Sequence, residues 1–408
     1  MTASAYTAPA TRTRAARRLI LPLALAQFIC SFAGSNMNVM INDISDDLNT
    51  SVKGVQTTIT LFLLIMAVLM IPCSKLTDRW GRKRCFMGGL TLYGIGAAAG
   101  PLIGGVITTA ISWRAAFIFQ VLVVALIVLL SRRLEDPLPA DPTRPFDAVG
   151  AILSAVGMFF IVFGIVQAGY NNTLLIVSLV VGIVLLAGFF LYIRARERKG
   201  KEPLLSSQLF KNRMCNLALV TQNIQWLLLL GTSFVVSVFL QEVRGYSAIR
   251  TGLALTPATV GILISSAAAE RFANRRSQRT LVIAGFAFTC LGMVLQLVLV
   301  RPESGPLRSL PGLFLIGFGV GAMLTSSVNI VQSSFPDRDQ GDISGLSRSV
   351  SNLGSSLGTA LAGSVLVAAS HPGGRPFALA LGTLVVITLI GLVLALLLPR
   401  QAGRPVAD

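Results

Sequence analysis

Apolar residues fall into twelve long runs separated by short polar stretches. The runs are Leu19–Asn42, Val55–Pro72, Cys85–Ile111, Ala115–Leu130, Ala148–Ala168, Leu174–Tyr192, Cys215–Leu240, Thr251–Ala268, Leu281–Val300, Pro311–Gln332, Val350–Ser370 and Phe377–Leu398. Each is too long and too apolar for a buried strand, and about 20 apolar residues suffice for a helix to cross a bilayer. The Gly and Pro residues inside them are tolerated where neighbouring helices pack closely. The pattern predicts an all-α polytopic membrane protein with about twelve transmembrane helices.

Composition agrees, with 53% hydrophobic and only 12% charged residues, against roughly 25% charged in a soluble domain. Soluble enzymes, disordered chains and disulfide scaffolds are excluded. The net charge of +17 is a topology signal. With the amino terminus inside, 27 of the 34 Lys and Arg fall in cytoplasmic segments and 7 outside. None is left for a helix middle, where each costs roughly 2.5–3.5 kcal/mol on insertion scales. This places a multi-pass chain in the plasma membrane with both termini cytoplasmic. The basic residues are spread over seven cytoplasmic segments, so nucleic-acid binding is excluded. The five cysteines lack metal spacing and read as apolar fillers. One His and no mid-helix acid exclude a membrane enzyme, and no metal or other cofactor is expected.

After the second run the chain reads Ser74-Lys75-Leu76-Thr77-Asp78-Arg79-Trp80-Gly81-Arg82-Lys83-Arg84. An acid ending one helix, a Gly turn and a basic run opening the next make a short hairpin with an ion-pair latch. The string resembles the loop motif of the major facilitator superfamily, G-x-L-a-D-r-x-G-r-k, with Ser74 in place of the first Gly. Asp78, Arg79, Gly81, Arg82 and Lys83 match it. The resemblance implies two helical bundles rocking about a central site, with these residues as a cytoplasmic latch. Glu270-Arg271-Phe272-Ala273-Asn274-Arg275-Arg276 reads either as a degenerate second copy or as a plain basic loop.

In the third run, Gly96, Gly100 and Gly104 recur every four residues and form one smooth helix face, which admits close helix approach. Gly100-Pro101-Leu102-Ile103-Gly104-Gly105 followed by Ser112-Trp113-Arg114 resembles the G-P-x-x-G-G antiporter motif and W-R-x-x-F exit of drug:proton antiporters. In that branch the motif lies in helix 5. Only fifteen residues separate Arg84 from Gly100, so the resemblance implies a fourteen-helix facilitator lacking two helices of its first bundle. The loss includes the helix with the embedded arginine. An ordinary six-plus-six transporter has the same helix count. The expected division is a cytoplasmic tail over 1–18, a shortened four-helix bundle over 19–133, two linker helices over 134–201, a six-helix bundle over 202–399 and a tail over 400–408.

Gln27, Ser31, Ser35, Asn38 and Asn42 share one face of the first helix. They line a cavity or hydrogen-bond to neighbouring helices; both readings stand. Gln222 and Gln225 on the seventh run and Asn329 on the tenth are further candidate cavity residues. The resemblance implies export of drug-like or small amphipathic solutes by a monomer in the lipid bilayer, in exchange for protons. None of the 17 acids lies mid-helix, so these residues do not show how a proton is carried. A proton-independent facilitator and a shortened, non-transporting membrane protein are the alternatives.

Overall fold

A computed structural model describes residues 21–23, 25–26, 28–30, 32–33, 37–89, 91, 114–132, 146–168, 171–273, 277–300, 305–335, 340–368 and 375–399. Among the described residues there is no strand. The principal helices are α1 (Ile41–Asp47), α2 (Val52–Trp80), α3 (Arg114–Ser131), α4 (Ala148–Val166), α5 (Asn172–Arg198), α6 (Arg213–Val238), α7 (Ala248–Ala273), α8 (Gln278–Leu299), α9 (Leu310–Gln332), α10 (Gln340–Ala368) and α11 (Arg375–Leu396). Eight helices in the described residues are long and apolar enough to cross a membrane.

Local chemistry sets several helix starts. Asp147, Asn171, Asn212 and Ser277 each stand one residue before a helix and accept a backbone N–H of its first turn. Such caps satisfy donors that a helix start leaves open and contribute about 1 kcal/mol each.

Two elements differ from the hydropathy pattern. The expected loop at 74–84 shrinks to Gly81 alone. Helix α2 continues to Trp80, and helical residues resume at Arg82. Gly81 has φ +95°, a region that side chains disfavour, which is why a one-residue break suffices. The second difference is α10. It starts at Gln340, well ahead of the run beginning at Val350. Its serines, among them Ser347, Ser349, Ser351, Ser355 and Ser356, are buried. They make the helix polar in composition while protein, not lipid, surrounds them.

The chain forms two compact units. The first comprises residues 1–43 and 76–144. Its core joins Ala26 and Ile29 to Val124 and Ile127 of α3, with the Phe32 ring edge-on to Phe119 at 5.6 Å. The second comprises residues 44–75 and 145–408, so most of α2 groups with α4–α11. In that unit α9 packs between α7 and α8, and α10 lies along α6. The seams are backbone against backbone. A β-carbon on Gly354 or Gly358 of α10 would collide with the carbonyls of Asn223 or Leu227 on α6. Small residues at such crossings are what allow helices to associate when lipid supplies no hydrophobic drive.

Candidate functional site

Within the second unit, α2 and α10 meet along a polar seam in antiparallel register. Gln56 Nε2 donates to the carbonyls of Thr359 and Ala360, both at 3.2 Å. Ser356 Oγ donates to Thr60 O at 2.9 Å and Ser349 Oγ to Ala67 O at 2.6 Å. Ser74 Oγ donates to Gly341 O at 2.7 Å. Lys75 Nζ and Asp342 Oδ2 form an ion pair at 2.7 Å, each side chain about one-fifth exposed. On α10 the positions Asp342, Ser349, Ser356 and Gly363 recur every seven residues, and so do Thr60, Ala67 and Ser74 on α2. Seven residues are nearly two full turns, so the step keeps one face turned to the partner along both helices. Gly363 completes the pattern, because a side chain there would occupy the space of the Gln56 amide.

Ser74 is the departure from the loop motif, and the seam accounts for it. Its hydroxyl serves Gly341 O. The missing side chain has moved across to α10, where a β-carbon on Gly345 would lie 2.7 Å from Ser74 Cβ.

Among the motif residues, Asp78 and Arg79 occupy the last turn of α2, and Arg82 and Lys83 open the following helical stretch. Gly81 N donates to Thr77 O at 3.0 Å, which ties the break to the turn before it. Lys83 Nζ donates to Arg132 O at 3.0 Å, at the carboxyl end of α3, where a cation meets the negative end of the helix dipole. The Asp78 side chain lies outside the described residues, as do Gly96, Gly100, Pro101, Gly104 and Gly105.

The candidate cavity residues divide. Gln27, Ser31 and Ser35 lie outside the described residues. Asn38 is buried, in the first unit. Gln222 sits in the α6–α10 seam, where its Nε2 donates to Ser351 Oγ at 2.8 Å and Ser347 Oγ at 2.9 Å. Asn223 adds a bond from Nδ2 to Val350 O at 2.9 Å. Gln222→Ala should therefore lower stability by about 1–2 kcal/mol, seen as a lower thermal midpoint in detergent, while Ser351→Ala should cost less because Gln222 keeps Ser347. Equal midpoints would remove Gln222 from the seam.

Gln225 and Asn329 differ. Asn329 is half-buried on α9. Gln225 is buried, and its Oε1 accepts from Ser327 Oγ of α9 at 3.1 Å. Its Nε2 finds no acceptor among the described residues. A buried amide donor without a partner costs about 1–3 kcal/mol, so its retention asks for an explanation.

Sequence reasoning missed the Lys75–Asp342 pair and the seam serines. The seven-residue spacing on α10 was the available signal.

A family model described as Major Facilitator Superfamily matches residues 23–99 and 146–359. The chain is similar to the "Multidrug resistance protein Stp" of Mycobacterium tuberculosis, 26% identical over 394 aligned positions, covering 81% of this chain and 72% of the relative. It is similar also to the "Puromycin resistance protein pur8" of Streptomyces alboniger, 25% identical over 414 positions, covering 85% and 80%. In the first alignment, 81% of 408 residues is about 330, so roughly 64 of the 394 positions face no residue of this chain. Among solved structures, the fold resembles the nucleoside transporter NupG, with TM-score 0.55, 12% identity and 93% and 99% of the two chains covered. It also resembles the human organic anion transporter MFSD10, with TM-score 0.54, 15% identity and coverage of 93% and 95%.

Proposed function

The chain belongs to the major facilitator superfamily, and from that premise we propose that it exports drug-like or small amphipathic solutes by alternating access. As a member of that family it is a multi-pass membrane transporter, not an enzyme. The observation that carries the proposal is the α2–α10 seam. Its hydroxyl- and amide-to-carbonyl bonds are worth only about 0.6 kcal/mol each in a membrane, so such a seam closes and parts at low cost. The α6–α10 seam, with backbone against backbone, does not.

In this reading Asp78, Arg79, Gly81, Arg82 and Lys83 are the cytoplasmic latch. Gly96, Gly100, Pro101, Gly104 and Gly105, outside the described residues, are the antiporter-type motif of this reading. The Gln225 amide of the second unit is an open donor for a carbonyl or ether oxygen of the solute, with Asn329 as a further candidate on that unit and Gln222 bracing the wall. Both termini face the cytoplasm. The names of the relatives, which concern multidrug and puromycin resistance, support the direction and the solute class.

The shortened first bundle is part of the same reading. The unmatched positions against Stp amount to about two helices with their connections. The family match pauses after residue 99, at the end of the short stretch between Arg84 and Gly100 where the two helices are missing. Both support a fourteen-helix ancestor.

The test is ethidium uptake by everted vesicles carrying the protein. Uptake driven by a proton gradient and abolished by an uncoupler is the expected result. Uptake that survives the uncoupler assigns a proton-independent facilitator. No uptake by correctly inserted protein overturns the transport proposal, and is what a first bundle too short to function would give.

A further inference from the structure

We infer that the α4–α5 hairpin is a fixed wall of the second unit, held by Asp147 and Glu197, and that it moves with α10 as one body. Both carboxylates at the hairpin's polar end are spent on the chain that leads into α6.

Asp147 is buried, at 3% exposure. Its Oδ1 accepts from Gly150 N at 3.1 Å and from Tyr192 Oη at 3.0 Å. Its Oδ2 accepts from Leu204 N at 3.0 Å and lies 3.7 Å from Arg196 Nε. One side chain thus joins the start of α4, the last turns of α5 and the connector. A carboxylate so buried is tolerated because cation and donors surround it, and removing it strands them. Glu197 takes the next stretch. Its Oε1 accepts from Ser207 N at 2.6 Å and Ser206 Oγ at 3.2 Å, and its Oε2 from Ser207 Oγ. Between the two acids Leu204 and Leu205 are buried.

The apolar length of the hairpin is held as well. Met158 and Val162 of α4 pack in one cluster with Leu353 and Leu357 of α10, a cluster that Leu64 of α2 also enters. Farther along, Ser364 Oγ donates to Ile165 O at 3.0 Å. The Ser364 bond and the apolar core hold α4 against α10, while Asp147 and Glu197 hold the polar end against the connector into α6. Asp147 is in this sense a positioning residue. It sets the angle at which the hairpin enters, and the hairpin supplies one side of the space that α10 occupies.

The test needs no transport, so its failure is separate from failure of the efflux assay. In a background with the five cysteines replaced, spin labels go on Ile152 of α4, 62% exposed, and Leu396 of α11, 50% exposed. The distance distribution is read in nanodiscs with and without ethidium and at two pH values. A single narrow distribution, the same in all conditions, is expected. It should broaden or split in Asp147→Ala, in Glu197→Ala and in the double variant, and less so in Asp147→Asn, which keeps the cap oxygen but loses the acceptor for Leu204 N. Each single variant stands alone if the double does not fold. A distribution that is broad or condition-dependent in the unaltered side chains, or one that both alanine variants leave unchanged, overturns the inference.

Discussion

Gly317→Ala should destabilise the second unit by about 3 kcal/mol or more, at or above the top of the range for overpacked cores. The reason is geometric. A β-carbon at Gly317 would fall on the carbonyl of Ala258, with Ala258 Cα only 2.7 Å away. Both obstacles are main chain, so no rotamer change relieves them, and α7 and α9 must move apart. That movement is blocked on the far side, because Gly319 also brings α9 close to the backbone of α8 at Gly285 and Thr289. One methyl group therefore strains two helix seams. The control is Gly382→Ala on α11, where nothing lies within 4 Å of the added carbon. There the better helix propensity of Ala should leave stability unchanged or raise it by up to about 1 kcal/mol. Thermal unfolding in detergent reads both, with a drop on the order of 5 °C or more expected for Gly317→Ala. A midpoint equal to that of Gly382→Ala would mean that α7 and α9 are farther apart than described.

The helices were legible from hydropathy because lipid imposes length and apolarity on any span. The same rule explains why α10 was read short: its first turns face protein through serine, so no apolar run marks them. The break at Gly81 was legible as a glycine between an acid and a basic run, but not as a break of one residue, since φ does not appear in composition. The α2–α10 seam shows a deeper limit. Its donors, Ser349 and Ser356, are visible as a seven-residue spacing. Its acceptors are the carbonyls of Thr60 and Ala67, and every residue has a carbonyl, so nothing in the sequence names the partner. Gln222 and Gln225 illustrate the converse. Three residues apart on one helix, they read alike in sequence, yet one fills its bonds with α10 serines and the other keeps a donor open. Which neighbour each side of α6 meets decides the difference.

The Lys75–Asp342 pair should dominate the strength of the α2–α10 seam at its Ser74 end. The hydroxyl bonds along the seam contribute about 0.6 kcal/mol each, and Ser74→Ala should accordingly reduce ethidium efflux less than threefold. The ion pair is different. At one-fifth exposure it lies between surface pairs, worth about 0–1 kcal/mol, and buried ones, whose breaking costs about 3–5 kcal/mol. An intermediate value near 2 kcal/mol corresponds to roughly a thirtyfold change in the balance of closed and open seams. Asp342→Lys and Lys75→Asp each replace attraction by repulsion at this point, and each should lower efflux by roughly tenfold or more. The exchanged pair Lys75→Asp/Asp342→Lys restores opposite charges and should recover most of the activity. That recovery separates a contact between the two residues from independent effects of either one. Salt gives a second reading, because a partly exposed pair is screened: raising ionic strength should weaken the parent protein toward the single variants and leave the variants less affected. If the exchanged pair is no better than the single reversals, Lys75 and Asp342 do not hold the seam, and closure at this end falls to the motif residues after Lys75.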